Sequence, residues 1–265
     1  MTRELDTARE LAIEAGRLIS ASLGRAAMVD RKSAVDLVTE VDRQAEALIK
    51  DGLASAFPQT PIVAEETAGN ERPSGPYWCV DPLDGTTNFV HGLPHCAVSI
   101  ALVGDDGPVV AVVHDPCKQE TFAATRNGPA TLNESPITVS GAESLDEALL
   151  VTGFPYNRRR HLDFYLTYFR LFLGRARDVR RLGSAALDLC YVAAGRFDGF
   201  WEWGLHPWDT AAGWLIAERA GGLVTDFSGA RHDPWEPQVL ATNGRIHQAA
   251  LEILAEATAA AGNPP

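Results

Sequence analysis

The sequence predicts a layered α/β protein, in which a mixed α+β first half packs against an α/β second half. Two observations support this class. Helix-period patterns and short strand-like runs share the first half, and helices alternate with strands in the second half. The chain has 265 residues, which suits one large domain or two domains that share an interface. We expect residues 1–145 and 146–265 to form the two halves of one compact unit.

The first half begins with helices. Apolar residues recur at helical spacing from Leu5 to Ile19, which predicts an amphipathic first helix. A second helix is expected after Thr39, whose hydroxyl could cap it together with Asp42 at the third helical position. Strands are then predicted at 61–64, 77–80, 96–103, 109–113, 120–125 and 137–140. A Gly-Asp-Asp-Gly-Pro turn at 104–108 indicates a hairpin, so this region is expected to be antiparallel.

The second half alternates between the two periodicities. We predict strands at 148–152, 196–203, 223–226 and 239–242, with helices at 157–173, 184–194, 207–220 and from 245 onward. Gly221-Gly222 is expected to end the third of these helices.

Composition limits the function classes. The formal net charge of −12 opposes binding to nucleic acid or an anionic membrane surface, so we expect neither partner. The charged, mixed-sign start does not resemble a signal peptide, and no apolar run approaches the roughly 20 residues of a membrane helix. The four cysteines are scattered, which favours free thiols and a cytoplasmic location.

The segment Asp81-Pro-Leu-Asp-Gly-Thr-Thr-Asn88 contains two carboxylates three residues apart. Pro82 and Gly85 favour a sharp turn of the backbone between and after them. Carboxylates this close repel each other unless a cation or a proton intervenes. Glu65 follows a predicted strand and Asp209 begins a predicted helix, so both could join the cluster. The set suits two or three hard cations such as Mg²⁺, but a structural Ca²⁺ site or a chance surface cluster fits the same spacing. By composition alone, Lys32 and Asp42 are a solvated lysine and a helix-start acid.

Three segments resemble the signature motifs of the inositol monophosphatase family. They are Glu65-Glu66, then Asp81-Pro-Leu-Asp-Gly-Thr-Thr-Asn-Phe89, and finally Trp208-Asp-Thr-Ala-Ala-Gly213. The similarity continues from Asp36 to Asp42, through Arg180-Arg-Leu-Gly-Ser-Ala-Ala186, to Ala220-Gly-Gly222. The resemblance implies the αβαβα sandwich of the inositol monophosphatase and fructose-bisphosphatase-like sugar phosphatases, a homodimer and lithium sensitivity.

The resemblance also implies roles for single residues. Glu65, Asp81, the Leu83 carbonyl and Thr86 would surround one Mg²⁺ ion, Asp81, Asp84 and Asp209 a second, and a weaker third ion would lie near Glu65. Glu65 and Thr86 would orient the attacking water, while the amides of Gly85 and Thr86 would receive the phosphate. The alcohol part would contact Asp84, Gly183, Ser184, Ala185, Glu202 and Asp209, with Arg180 nearby. Lys32 and Asp42 would assist the metal loop.

The expected activity is Mg²⁺-dependent hydrolysis of a small polyol or sugar phosphate monoester, foremost myo-inositol monophosphate, by metal-activated water. Histidinol phosphate, fructose 1,6-bisphosphate and 3′-phosphoadenosine 5′-phosphate are rival substrates. A non-catalytic regulatory module on the same fold is the alternative of another class. The basic run Arg158-Arg-Arg160 and the histidines His91, His95, His114 and His206 are expected to be surface or packing residues.

Overall fold

The computed structural model describes residues 2–24, 29–31, 37–67, 69 and 71–262. Within these residues the α-helices are α1 (Arg3–Ser22), α2 (Glu40–Ala56), α3 (Thr86–Val90), α4 (Leu162–Leu173), α5 (Ala185–Ala193), α6 (Pro207–Arg219) and α7 (His247–Ala261). Lys32 lies outside the described residues. No described helix is both long and apolar enough to cross a membrane.

The strands form two main sheets. The described strands are β1 (Val29–Arg31), β2 (Leu37–Thr39), β3 (Ile62–Ala64), β4 (Tyr77–Asp84), β5 (Ala97–Gly104), β6 (Gly107–Asp115), β7 (Glu120–Thr125), β8 (Thr131–Leu132), β9 (Ser135–Pro136), β10 (Leu149–Thr152), β11 (Asp178–Arg180), β12 (Gly199–Trp203), β13 (Leu223–Thr225) and β14 (Gln238–Thr242). The larger sheet runs β3-β4-β5-β6-β7-β8-β9 and the smaller β11-β10-β12-β14-β13, while β1 pairs with β2. In the larger sheet β3 and β4 are parallel and the other pairs antiparallel.

The helices and sheets pack through their apolar faces into five layers. Helices α1 and α2 cover the outer face of the larger sheet, where Ile19 and Ile49 share a core cluster with Trp78. Helices α5 and α6 lie between the sheets, and α5 is buried along its whole length. Helices α4 and α7 cover the outer face of the smaller sheet, where Phe172 stacks on Trp201. The order is therefore helix, sheet, helix, sheet, helix, which confirms the αβαβα prediction.

Several local predictions are confirmed. The Thr39 amide donates to the Asp42 carboxylate over 2.8 Å, which completes the capping box at the start of α2. The hairpin of β5 and β6 forms at the predicted turn. All four cysteines are free thiols.

Other local predictions are wrong for identifiable reasons. Residues 137–140 form no strand, because the Val139 amide donates to the carbonyl of Ala220 at the end of α6 rather than to a neighbouring strand. The paired strands before them are β8 and β9, joined by Asn133 and Glu134 at positive φ. Helix α4 begins only at Leu162, since successive turns occupy residues 157–161.

Candidate functional site

A tight turn follows the wholly buried strand β4, whose pairing with β5 shifts register between Asp81 and Asp84. Gly85 then takes φ 93°, and α3 begins at the next residue. A side chain at Gly85 would be strained, because a Cβ there would lie 3.1 Å from the carbonyl oxygen of His95. The turn therefore depends on glycine and directs Asp84 and Thr86 toward the same volume.

Three carboxylates from distant parts of the chain meet at this turn. Single carboxylate oxygens of Asp81, Asp84 and Asp209 lie within 4.8 Å of one another. Asp81 is 1% exposed and Asp84 9%, while Asp209 is half-buried. Asp209 reaches the cluster from the first turn of α6, where its carboxylate accepts a 2.6 Å hydrogen bond from the His206 amide.

Burial and mutual repulsion raise the pKa values of the carboxyl groups in this cluster. Burial, followed by the charges of Glu65, Asp84 and Asp209, raises the pKa of Asp81 well above its ordinary value. Burial and then Asp84 do the same to the pKa of Asp209. Burial also raises the pKa of Asp84 to about 6, although hydrogen bonds from Ser184 and backbone amides oppose the shift. A bound divalent cation would relieve this repulsion.

The donor set fits Mg²⁺. Every candidate ligand near the turn is oxygen: the clustered carboxylates, the Leu83 carbonyl and the Thr86 hydroxyl. Hard cations prefer such ligands. Glu65 directly follows β3, is half-buried and lies on the same cavity as Asp81. The carboxylate of Glu46 accepts the amide of Glu66 at 2.8 Å, which anchors the turn that carries Glu65.

Thr86 is held from two sides. Its hydroxyl lies 3.0 Å from the Leu83 carbonyl oxygen and 3.1 Å from one carboxylate oxygen of Asp42. Asp42 is itself fully buried and bonded to Thr39. The acid of the α2 capping box therefore also fixes the threonine of the turn after β4.

The second half closes the site. The Ser184 hydroxyl donates to Asp84 over 2.6 Å, and the amide of Ala186 donates to the same oxygen over 2.8 Å. The side-chain amide of Asn88 donates to the carbonyls of His95 and Leu182 at 2.9 Å. These bonds join the turn after β4 to the start of α5, across the two halves of the chain.

A cavity of about 1130 Å³ opens over the cluster. Its lining includes the predicted residues Glu65, Asp81, Leu83, Asp84, Gly85, Thr86, Gly183, Ser184, Ala185, Glu202 and Asp209. Glu202 is 7% exposed, and burial raises its pKa to about 8 despite the opposing charge of Arg181. Asp42 lies behind Thr86 rather than on the cavity wall.

Arg180 is not on this wall. It ends strand β11 at the sheet edge and forms an ion pair with Asp178, with both side chains about half exposed at 47% and 46%. Arg181 lines the cavity instead. Successive side chains of an extended segment point in opposite directions, so Arg180 faces away from the cavity when Arg181 faces it.

Sequence reasoning also missed residues that line the cavity. His91, Arg158 and His206, expected at the surface or in packing, all lie on the wall. The turns at 157–161 bring Arg158 inward, which the predicted continuous helix would not do. Asn88 stands inside the quoted motif, and its position there was the available signal for its bridging role.

The αβαβα fold, the cluster of oxygen ligands and the adjoining glycine turn assign this protein to the class of metal-dependent sugar-phosphatase folds. The sequence profile described as the inositol monophosphatase family matches residues 1–261. The chain belongs to the inositol monophosphatase family, whose members are Mg²⁺-dependent.

Two curated relatives with the same sequence identity to this chain have different names. Inositol-1-monophosphatase of Synechocystis sp. is 46% identical over 253 residues, which cover 95% of this chain and 88% of the relative. Nus factor SuhB of Pseudomonas aeruginosa is 46% identical over 257 residues, covering 94% and 95%.

Solved structures agree with the fold. An IMPase of Thermotoga maritima superposes with a TM-score of 0.90 at 37% identity, covering 98% of this chain and 100% of that chain. Inositol monophosphatase of Anabaena superposes with a TM-score of 0.87 at 39% identity, covering 95% of each chain.

Proposed function

We propose that this protein is an Mg²⁺-dependent phosphatase that hydrolyses a small polyol or sugar phosphate monoester, with myo-inositol monophosphate as the first expected substrate. The observation that carries the proposal is the meeting of Asp81, Asp84 and Asp209 within 4.8 Å at a glycine turn. The same ligand set offers sites for two or three ions. Glu65, Asp81, the Leu83 carbonyl and Thr86 would hold one, and Asp81, Asp84 and Asp209 another.

When bound, Mg²⁺ supplies Lewis-acid stabilisation of phosphate oxygens and lowers the pKa of coordinated water. The chain's own groups position the reactants. Glu65 and the fixed hydroxyl of Thr86 orient the attacking water for in-line displacement, without a phosphoenzyme. The amides of Gly85 and Thr86, at a turn with positive φ, receive the phosphate oxygens as a small anion nest.

The alcohol part of the substrate would lie toward the second half. Ser184 and Glu202 lie on the same cavity wall and offer polar groups for hydroxyls, and Arg181 stands where Arg180 was expected. This wall suits a polyhydroxylated ring better than an apolar alcohol.

Phosphate release should be measured with Mg²⁺ over myo-inositol monophosphate, fructose 1,6-bisphosphate, histidinol phosphate and 3′-phosphoadenosine 5′-phosphate, with EDTA as the metal-free control. We expect Mg²⁺-dependent release, fastest with the inositol ester. A best rate on the adenosine substrate would overturn the substrate assignment. No release from any substrate would overturn the phosphatase.

The second candidate is a regulatory binding role on the same fold. The observation that favours it is the equal identity, 46%, to a relative named a Nus factor and to one named an inositol-1-monophosphatase. The complete ligand set argues for catalysis, since a binding module would not need every metal ligand. A folded, Mg²⁺-binding protein with no turnover would favour the regulatory role.

Further properties are proposed with this function. The resemblance supports a homodimer and inhibition by lithium. The scattered free cysteines support a cytoplasmic location, and the net charge of −12 supports the expectation of no nucleic-acid partner. Light scattering of the purified protein tests the dimer, and titration with a short RNA at low salt tests the last property.

A further inference from the structure

Gly153 lies against the carboxylate of Glu202. Strand β10 ends at Thr152, which pairs in parallel with Trp201 of β12, so Gly153 and Glu202 are the next residues along neighbouring strands. A Cβ built on Gly153 would overlap both carboxylate oxygens of Glu202, far inside the 3.0 Å that real Cβ atoms essentially never cross. The carboxylate therefore occupies the volume that a side chain at position 153 would fill.

Backbone conformation does not explain this glycine. Gly153 is not among the glycines with positive φ, so an L-residue could adopt its backbone without that strain. It is buried, and Glu202 atoms are the three nearest neighbours of the absent Cβ. The feature that requires glycine at position 153 is space for the Glu202 carboxylate.

A second buried acid lies close enough to Glu202 to interact with it. Asp188 on α5 is 1% exposed, and within the described chain neither of its carboxylate oxygens has a hydrogen-bond partner. After burial, the charge of Glu202 is the largest cause that raises the pKa of Asp188, so these acids are close enough to interact. Moving Glu202 toward α5 would bring two poorly solvated acids closer together, which is unfavourable.

We propose that Gly153 is a specificity-determining residue that positions Glu202 toward the hydroxyls of the substrate's alcohol part. This inference rests on the proposed phosphatase function and on the cavity wall that both residues share. Gly153 acts through Glu202 rather than by touching the reacting phosphate. It therefore affects recognition of the alcohol more than the chemistry that all monoesters share.

The test is Gly153→Ala assayed by phosphate release on two substrates, myo-inositol monophosphate and phenyl phosphate, which has no free hydroxyls. Loss of a substrate hydrogen bond should reduce the ratio of kcat/KM values, inositol ester over phenyl ester, by about tenfold, mainly through KM. Gly141→Ala is the matched control, because a Cβ there meets nothing within 4 Å. The control should keep the wild-type ratio.

A second variant separates positioning from general damage to the fold. Shortening the acid in Gly153→Ala/Glu202→Asp returns room to the pair, so its substrate ratio should recover to that of Glu202→Asp alone. An unchanged substrate ratio in Gly153→Ala overturns the positioning role, and so does an equal loss on both substrates that the double variant does not recover. In either case, turnover by the wild-type protein still supports the proposed phosphatase. Absence of wild-type turnover on both substrates overturns the proposed function and this inference together.

Discussion

Asp42 shows how one side chain can serve both fold and site. One carboxylate oxygen accepts the Thr39 amide in the capping box of α2, and the other accepts the Thr86 hydroxyl. Burial raises the pKa of Asp42, while these hydrogen bonds oppose the shift. The threonine expected to orient water is thus held by a helix cap from a different part of the chain.

Thr86→Val removes the hydroxyl and keeps the shape of the side chain. We expect kcat for the inositol ester to fall about a hundredfold, because the proposed metal ligand that orients the attacking water is lost. Thr138→Val, at an exposed position, is the matched control. Steady-state phosphate release and circular dichroism measure activity and fold. Wild-type kcat in a folded Thr86→Val would exclude Thr86 from the catalytic group.

The sequence predicts which residues form the candidate site best where those residues belong to a motif. Asp81, Asp84 and Thr86 stand in one short segment, and the structure brings Asp209 to them. Arg181 was not predictable from pattern alone. Strand β11 has only three residues, so periodicity does not establish which arginine faces the cavity.

Helix α5 carries an acid in an unusual place. Asp188 is buried among apolar residues between the sheets, and its pKa is raised well above its ordinary value, first by burial and then by Glu202 and Asp84. The folded state therefore holds this proton more tightly than the unfolded chain. Wild-type stability should fall as pH rises from about 4, the unfolded pKa, toward the higher folded pKa.

Asp188→Asn removes the titration and nearly preserves the shape. We expect the metal-free variant to unfold at higher urea than wild type, with a larger advantage at pH 8 than at pH 5. Asp146→Asn, an exposed acid, provides the baseline at both pH values. A variant less stable than wild type at both pH values would show that the Asp188 carboxylate makes a favourable interaction instead.

Long elements with a repeated apolar pattern or a cap signal were predictable from the sequence, and short elements were not. Helix α1 contains the predicted apolar pattern, and α2 and α6 begin where their cap signals predict. The early start expected for α4 failed because local turns occupy residues 157–161. The strand expected at 137–140 failed because the Val139 amide donates to the remote carbonyl of Ala220. Such tertiary bonds leave no local pattern in a sequence.

The fold brings together one acidic cluster from both halves of the chain. Asp81 and Asp84 end a strand of the larger sheet, whereas Asp209 begins a helix of the layer between the sheets. Fold class and layer order were predictable because the quoted motifs extend over nearly the full length. The way the cluster joins remote segments emerges only when the sheets and helices are assembled.

Bound Mg²⁺ should therefore stabilise the assembled fold. At a hundred times its dissociation constant a ligand contributes about 2.7 kcal/mol, so we expect Tm to rise by roughly 5–10 °C over the EDTA sample. Asp209→Asn should lose most of this rise, and Asp51→Asn, an exposed acid on α2, should retain it. Differential scanning calorimetry measures both. An equal rise in Asp209→Asn would place the ions elsewhere.

The most direct test of the catalytic cluster is the turnover of Asp84→Asn. Asparagine keeps the size of the side chain and an acceptor for Ser184, but it removes the charge shared with Asp81 and Asp209. With Mg²⁺ and saturating myo-inositol monophosphate, we predict a loss of at least about a hundredfold, with unchanged circular dichroism. Asp105→Asn, on an exposed turn, should retain wild-type turnover. Wild-type turnover in Asp84→Asn would contradict the account.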